Sequence, residues 1–192
     1  MSDPFAGLAA RFGDALRRDE PMGRYTVARL GGPTDALVTV HSVDELADAV
    51  ALAVEAGVPW RVLGGGANVL IGDRGVRGLV IVNHARGMTL EEDGQVWAES
   101  GASFSTLARK AANRGLSGIE WAANVPGSVG GAVVNNAGAN GGDVAHRLAH
   151  ADLLDTAQGC SVVRWTPDQM RYDYRASALK GQHGRYVVLA AA

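Results

Sequence analysis

Five side chains able to bind or neutralise an anion crowd one short stretch, MRYDYRASALKG (170–181): Arg171, Tyr172, Tyr174, Arg175 and Lys180. A guanidinium can take a carboxylate through two parallel hydrogen bonds and stabilise negative charge as it develops. Taken alone, the stretch reads as a solvated helix face with ordinary surface arginines, near a helix end.

Two glycine-rich loops supply a context. In RVLGGGANVLIGD (61–73), Gly64, Gly65 and Gly66 follow a strand, and no Cβ stops their N–H groups from curling around an anion. Asn68 can donate to a phosphate or accept from a ribose hydroxyl. A tight turn between two strands explains a bare GGG equally simply. The loop is not G-x-G-x-x-G, because Val69 holds the third glycine position, and it has no Lys-Ser/Thr of a P-loop. In WAANVPGSVGGAVVNNAGANGG (121–142) no residue is charged. There Pro126 suits a helix first turn, which would aim the N–H groups of Gly127, Ser128 and Val129 at a ligand. Two such loops in one chain favour a ligand with a pyrophosphate and flat rings, a dinucleotide or a flavin, over a purely structural role.

Other chemistries find little support. The chain has 18 basic and 20 acidic residues and a formal net charge of −2, against a nucleic-acid partner held by phosphate neutralisation. His146 and His150 are four apart but lack a third ligand, so no metal is expected. Cys160 has no neighbouring His/Asp pair and allows no internal disulfide, which fits a reducing compartment. A hydrolase elbow G-x-S-x-G is absent. The opening MSDPFAGLAARFGDALRRDEP reads as a weakly amphipathic helix, without the apolar centre of a signal peptide. A cytoplasmic, soluble protein is expected. No long apolar stripe is left for a partner, so a monomer is expected; no membrane partner is expected either.

The elements that must position these residues follow an α/β pattern. DALVTV (35–40), PWRVLGG and GLVIVN (78–83) read as strands. Between the first two, Ser42 and Glu45 form a capping box for a helix with Val43, Leu46, Ala47, Val50 and Val54 inward and Gly57 as its stop. QVWAES (95–100) is a strand, and ASFSTLARKAANRGL a helix with Phe104, Leu107, Ala108, Ala111 and Ala112 inward. Residues 152–166 read as a hairpin turning at Ala157-Gln158-Gly159, and Thr166-Pro167 starts a further helix. RYVVLAAA is an apolar strand, and ending inside it leads to the expectation that the native polypeptide continues past Ala192.

LGGPTDALV (30–38), VLGGGANVLIGDRGVRGLVI (62–81), VPGSVGGAVVNNAGANGG (125–142) and YRASALK (174–180), in this order, resemble the UDP-N-acetylenolpyruvoylglucosamine reductases. The resemblance implies an α+β, two-lobed FAD-binding fold of the p-cresol methylhydroxylase type, with lobes at 1–84 and 85–192. It implies non-covalent FAD, NADPH as co-substrate using the substrate cleft in turn, and a UDP-sugar enolpyruvyl ether as substrate. The activity it implies is that of a UDP-N-acetylmuramate dehydrogenase in peptidoglycan precursor synthesis, and through it a role in cell shape and division.

Carried over by motif, Gly64, Gly65, Gly66, Ala67, Asn68 and Val69 would wrap the FAD pyrophosphate. Pro126, Gly127, Ser128, Gly130 and Gly131, with Asn136, Ala137 and Gly138, would pack along the flavin and its phosphates. Arg175 would bind the substrate carboxylate and stabilise the enolic intermediate, with Tyr174 as a neighbour and Lys180 as a charged lining group. Family members also carry a C-terminal substrate domain that supplies a serine proton donor and an assisting glutamate. Neither has a counterpart in these residues. An oxidase of the same fold is the nearest other enzyme, although no histidine lies within 61–73 to tether FAD covalently. A flavin-binding module without turnover is the non-enzymatic reading.

Overall fold

The computed structural model describes residues 3–192. Helix α1 (Ala6–Phe12) is shorter than the expected N-terminal helix, and Arg17–Pro21 instead forms strand β1. Within β1 only Glu20 is buried, where Arg17, Arg24 and the Tyr25 hydroxyl surround its carboxylate.

Strands β2 (Pro33–Val40), β3 (Trp60–Leu63) and β4 (Val76–Asn83) run parallel, with β4 in the middle and β1 antiparallel along β2. Helix α2 (Val43–Glu55) joins β2 to β3. Ser42 Oγ accepts from the Glu45 N–H at 3.1 Å, as the capping box requires. The returning Glu45 carboxylate takes the N–H of His41, one residue ahead of the expected one, at 2.7 Å. Leu46, Ala49, Val50 and Ala53 form the buried stripe, while Val54, expected inward, is 38% exposed. Strand β4 is buried on both faces, as a continuous apolar run in a parallel sheet should be. Leu79 and Ile81 lie under α2, whereas Val80 and Val82 join Met22, Leu37 and Leu63 on the opposite side.

A second, antiparallel sheet holds β5 (Met88–Leu90), β6 (Val96–Glu99), β9 (Ala151–Asp155), β10 (Ser161–Trp165) and β11 (Tyr186–Ala191), in the order β10-β9-β11-β6-β5. The expected hairpin is β9–β10, pairing Ser161 with Asp155 and Trp165 with Ala151. Leu154, Val187 and Leu189 point toward α2, so this helix is packed between the two sheets. Leu153 and Val188 point the other way, against α3 (Phe104–Asn113) and α4 (Val129–Asn135). Each fully buried leucine here contributes roughly 1.5–3 kcal/mol through removal from water. Of the inner face expected for α3, only Ala112 turns out to be exposed. Among the described residues, no helix is long and apolar enough to cross a membrane.

Candidate functional site: a cleft between two glycine loops

The parallel strands β3 and β4 end side by side, and the carboxyl ends of parallel strands are where open α/β sheets bind ligands. There Gly64 and Gly65 leave β3, and Asn83 and His84 close β4. A cavity of about 490 Å³ opens at this edge. Its far wall comes from the second half of the chain: Arg86 and Met88, Gly101 and Ser103, Thr106 and Lys110 on α3, and Gly127 and Ser128 ahead of α4. Among the described residues, no acidic side chain lines it.

Buried hydrogen bonds fix the floor. Asn83 Nδ2 donates to Ser100 Oγ at 2.8 Å, and Asn83 Oδ1 accepts from the Ala85 N–H at 2.9 Å. The Ser100 carbonyl accepts from the Gly130 N–H at 2.8 Å. Asn83 and Ser100 thus tie the end of β4, the end of β6 and the start of α4 into one node. His84 stands edge-on to His41, with ring centroids 5.7 Å apart. Burial first, then the Arg86 and His41 charges, hold the His84 imidazole below the ordinary histidine value.

The glycine loops face each other directly. A Cβ on Gly64 would fall 3.0 Å from Ser128 Cβ and closer still to its Oγ, and one on Gly65 would lie 3.4 Å from Gly127 Cα. Gly66 takes the left-handed conformation (φ 63°), and a side chain there would strike the Tyr25 carbonyl. Among the described residues, the N–H groups of Gly64, Gly65, Ala67, Asn68, Gly127 and Ser128 have no hydrogen-bond acceptor. Four of these donors, on Gly64, Gly65, Gly127 and Ser128, line the cleft from two facing loops and are suited to an anionic oxygen cluster.

The FAD binding domain family matches residues 34–163. The chain belongs to it. This FAD-binding domain is 47% identical over 188 residues to a UDP-N-acetylenolpyruvoylglucosamine reductase of Rubrobacter xylanophilus, a match covering 97% of the chain and 62% of the relative. The corresponding reductase of Bacillus subtilis is 42% identical over 84% of the chain and 53% of its own length. The crystal structure of a UDP-N-acetylenolpyruvylglucosamine reductase from Thermus caldophilus superposes with a TM-score of 0.75 at 31% identity, covering 92% of this chain and 61% of that one. A cholesterol oxidase superposes at 0.64 with 17% identity, which shows a shared fold. The chain therefore has the α+β FAD-binding fold of the p-cresol methylhydroxylase type and spans less than two thirds of the reductases it matches.

The cleft fits that cofactor class in size, in free N–H donors and in Arg86 and Lys110, which make no salt bridge among the described residues. Of the residues expected from sequence, Gly64, Gly65, Gly127 and Ser128 line it. Gly66, Ala67 and Asn68 continue the first loop, and Val69 is 37% exposed beyond it.

The second loop departs from its expected form. Helix α4 begins at Val129 under a Ser128 cap, so Pro126 and Gly127 precede the helix and do not open it. The Val129 N–H is spent on the Ala102 carbonyl, that of Gly130 on Ser100, and that of Gly131 on Ser128 Oγ. The segment after α4 folds as a hairpin, β7 (Gly138–Ala139) and β8 (Gly142–Asp143). Asn140 and Gly141 make its turn at φ 51° and 80°, the left-handed pair that two-residue hairpins require. Asn136, at the end of α4, uses its side chain within the protein, donating to the Asp173 carbonyl at 3.1 Å and accepting from the Ala145 N–H at 3.0 Å. Ala137 is buried beside it.

Helix α5 (Pro167–Met170) stops before the cationic stretch, with Arg171 at φ 46° ending it. Arg175 therefore sits in a turn and not on a helix face. Its Nη2 donates to the Gly138 carbonyl at 2.8 Å, and it makes no salt bridge among the described residues. Tyr174 is 86% exposed, with the Arg175 guanidinium 6.0 Å from its ring centroid. Sequence reasoning missed Asn83, His84, Arg86, Ser103, Thr106 and Lys110. The only signal for them was position, at the ends of β4 and β6 and on the outward face of α3.

Proposed function

We propose that the chain is the FAD-binding part of an NADPH-dependent reductase of the enolpyruvyl group of UDP-N-acetylglucosamine enolpyruvate. The product is UDP-N-acetylmuramate for peptidoglycan synthesis in the cytoplasm. The observation that carries this reading is the 47% identity, over 97% of the chain, to a reductase of that name.

When bound, FAD supplies hydride transfer between the nicotinamide and the substrate double bond. The free N–H groups of Gly64, Gly65, Ala67, Asn68, Gly127 and Ser128 would hold its pyrophosphate, and Arg86 and Lys110 would offset the negative charge. Thr106 Oγ1 donates to Ser103 Oγ at 3.0 Å, which would leave the Ser103 hydroxyl proton for the cofactor. Helix α4 carries Ser128 at one end of its seven residues, and the Arg175 turn is fastened just past the other. At 1.5 Å per residue, the helix separates the two by roughly 10 Å. Arg175, which makes no salt bridge among the described residues, would bind the substrate carboxylate and stabilise the negative charge that develops on the α-carbon, and spreads into the carboxylate, when the β-carbon receives hydride.

The test is anaerobic addition of NADPH to the flavin-loaded protein, followed by the enolpyruvyl substrate. Bleaching of the flavin band by NADPH is expected of this chain, and its return with substrate once the C-terminal substrate domain of such a reductase is joined to it. A bound flavin that NADPH leaves oxidised would overturn the reading.

A further inference from the structure

The Arg175 backbone is itself in an unfavourable place. Its φ of 53° is left-handed, a conformation that costs a residue with a Cβ and persists only where the surroundings impose it. Asp173 and Ala176 close the turn with a pair of backbone hydrogen bonds, each N–H reaching the other's carbonyl at 3.1 Å. Two side chains fasten this turn to α4: Asn136 through the Asp173 carbonyl, and Ser177 Oγ through the Val134 carbonyl at 2.6 Å. A third bond acts on Arg175 directly. Lys180 Nζ donates to the Arg175 carbonyl at 2.6 Å, while the Arg175 guanidinium holds Gly138. Lys180 lines no part of the FAD cleft and makes no salt bridge among the described residues.

We propose that Lys180 is a positioning residue for Arg175: its ammonium, bonded to the Arg175 carbonyl, holds the left-handed turn that aims the guanidinium. This rests on the reading of Arg175 as the carboxylate-binding group. A charge-assisted bond to the carbonyl opposes the tendency of the residue to relax to negative φ. Such a relaxation would withdraw the side chain from Gly138. Lysine suits the task because its ammonium is a compact donor on a long stem, able to reach across the turn. The same bond keeps Lys180 turned onto the backbone, so it acts through Arg175 and not on the ligand.

The experiment uses Lys180→Met and Lys180→Arg in the full chain, with folding checked by the amide fingerprint spectrum. The first readout is the heteronuclear NOE of the Arg175 Nε–Hε group, which reports side-chain order without any ligand. The second is the affinity of the FAD-loaded protein for 2-methoxyacrylate, the methyl enol ether of pyruvate. Lys180→Met is expected to retain FAD, lose Arg175 order and bind the probe about tenfold more weakly. Lys180→Arg, which keeps a charged donor, is expected to restore both. The Met deficit should persist at about 1 M salt, where the Debye length is only about 3 Å.

Ordered Arg175 and unchanged affinity in Lys180→Met would overturn the proposal. So would a deficit that high salt erases, because that marks a field effect on the ligand. An ordered wild-type Arg175 that ignores the probe would sink the enolpyruvyl reading, while the loss of order in Lys180→Met would still uphold the positioning role.

Discussion

Gly64 and Ser128, far apart in the chain, meet so closely that a Cβ on the glycine would lie 3.0 Å from the serine Cβ. The two glycine loops are therefore two sides of one narrow mouth, and the bare backbone serves both their mutual approach and the donors left free beside them.

Gly65 separates these uses. A Cβ there meets nothing in the protein closer than 3.4 Å, an ordinary van der Waals contact, and the residue lines the cleft. Gly65→Val should leave thermal stability within about 1 kcal/mol of the parent and weaken FAD binding at least tenfold, because the branched side chain fills ligand space. Fluorescence titration with FAD and a melting curve measure the two effects. Full flavin affinity in the variant would take the first loop out of the site.

Asn83 ties the two sheets together under the cleft. Replacing it by leucine strands Ser100 Oγ and the Ala85 N–H without their partners, at a cost of about 2–4 kcal/mol. Chemical denaturation should show this as a lowered midpoint with an unchanged slope. A neutral substitution would mean that water replaces the amide and the node is not structural.

His84 gives the site a pH dependence whose sign follows from its surroundings. Burial, Arg86 and His41 lower its pKa in the free protein, and Lys110 adds a further cation to the same cavity. An anionic ligand favours the imidazolium, so the bound pKa lies above the free one. Affinity then rises as pH falls through the bound value and levels off below the free value. With the free value beneath the ordinary 6.5, FAD should bind several-fold more tightly at about pH 5.5 than at about pH 8. His84→Gln should flatten the profile. A wild-type affinity constant across this window would place the phosphates away from His84.

Arg175→Ala should retain FAD, since the residue lines no part of the cleft, and lose affinity for a small carboxylate by roughly 10–100-fold, the range of a charge-assisted bond. Titration of the flavin-loaded protein with 2-methoxyacrylate decides it. Equal binding by variant and parent would remove Arg175 from substrate recognition.

Much of this was legible in the residues. The Ser42–Glu45 box placed α2, the alternation around Gly159 placed the β9–β10 hairpin, and the glycine loops marked the cleft, because each of these signals is local. What escaped was set by distant partners. Pro126 looked like a helix start, but the Val129 and Gly130 N–H groups pair with Ala102 and Ser100, and the helix starts where that pairing allows. Asn140-Gly141 carried a readable hairpin signal that the surrounding glycines hid. Lys110 and Arg86 look like any surface cations until α3 and the link from β4 to β5 bring them to the ends of β3 and β4.

The central claim is that the cleft between Gly64–Asn68 and Gly127–Ser128 binds FAD. Its most direct measurement is the visible spectrum of the protein after incubation with FAD and removal of free flavin by desalting. The account predicts a retained flavin band at one equivalent per chain, lost in Gly65→Val and kept in Arg175→Ala. A colourless parent protein, or a band that survives Gly65→Val undiminished, would contradict it.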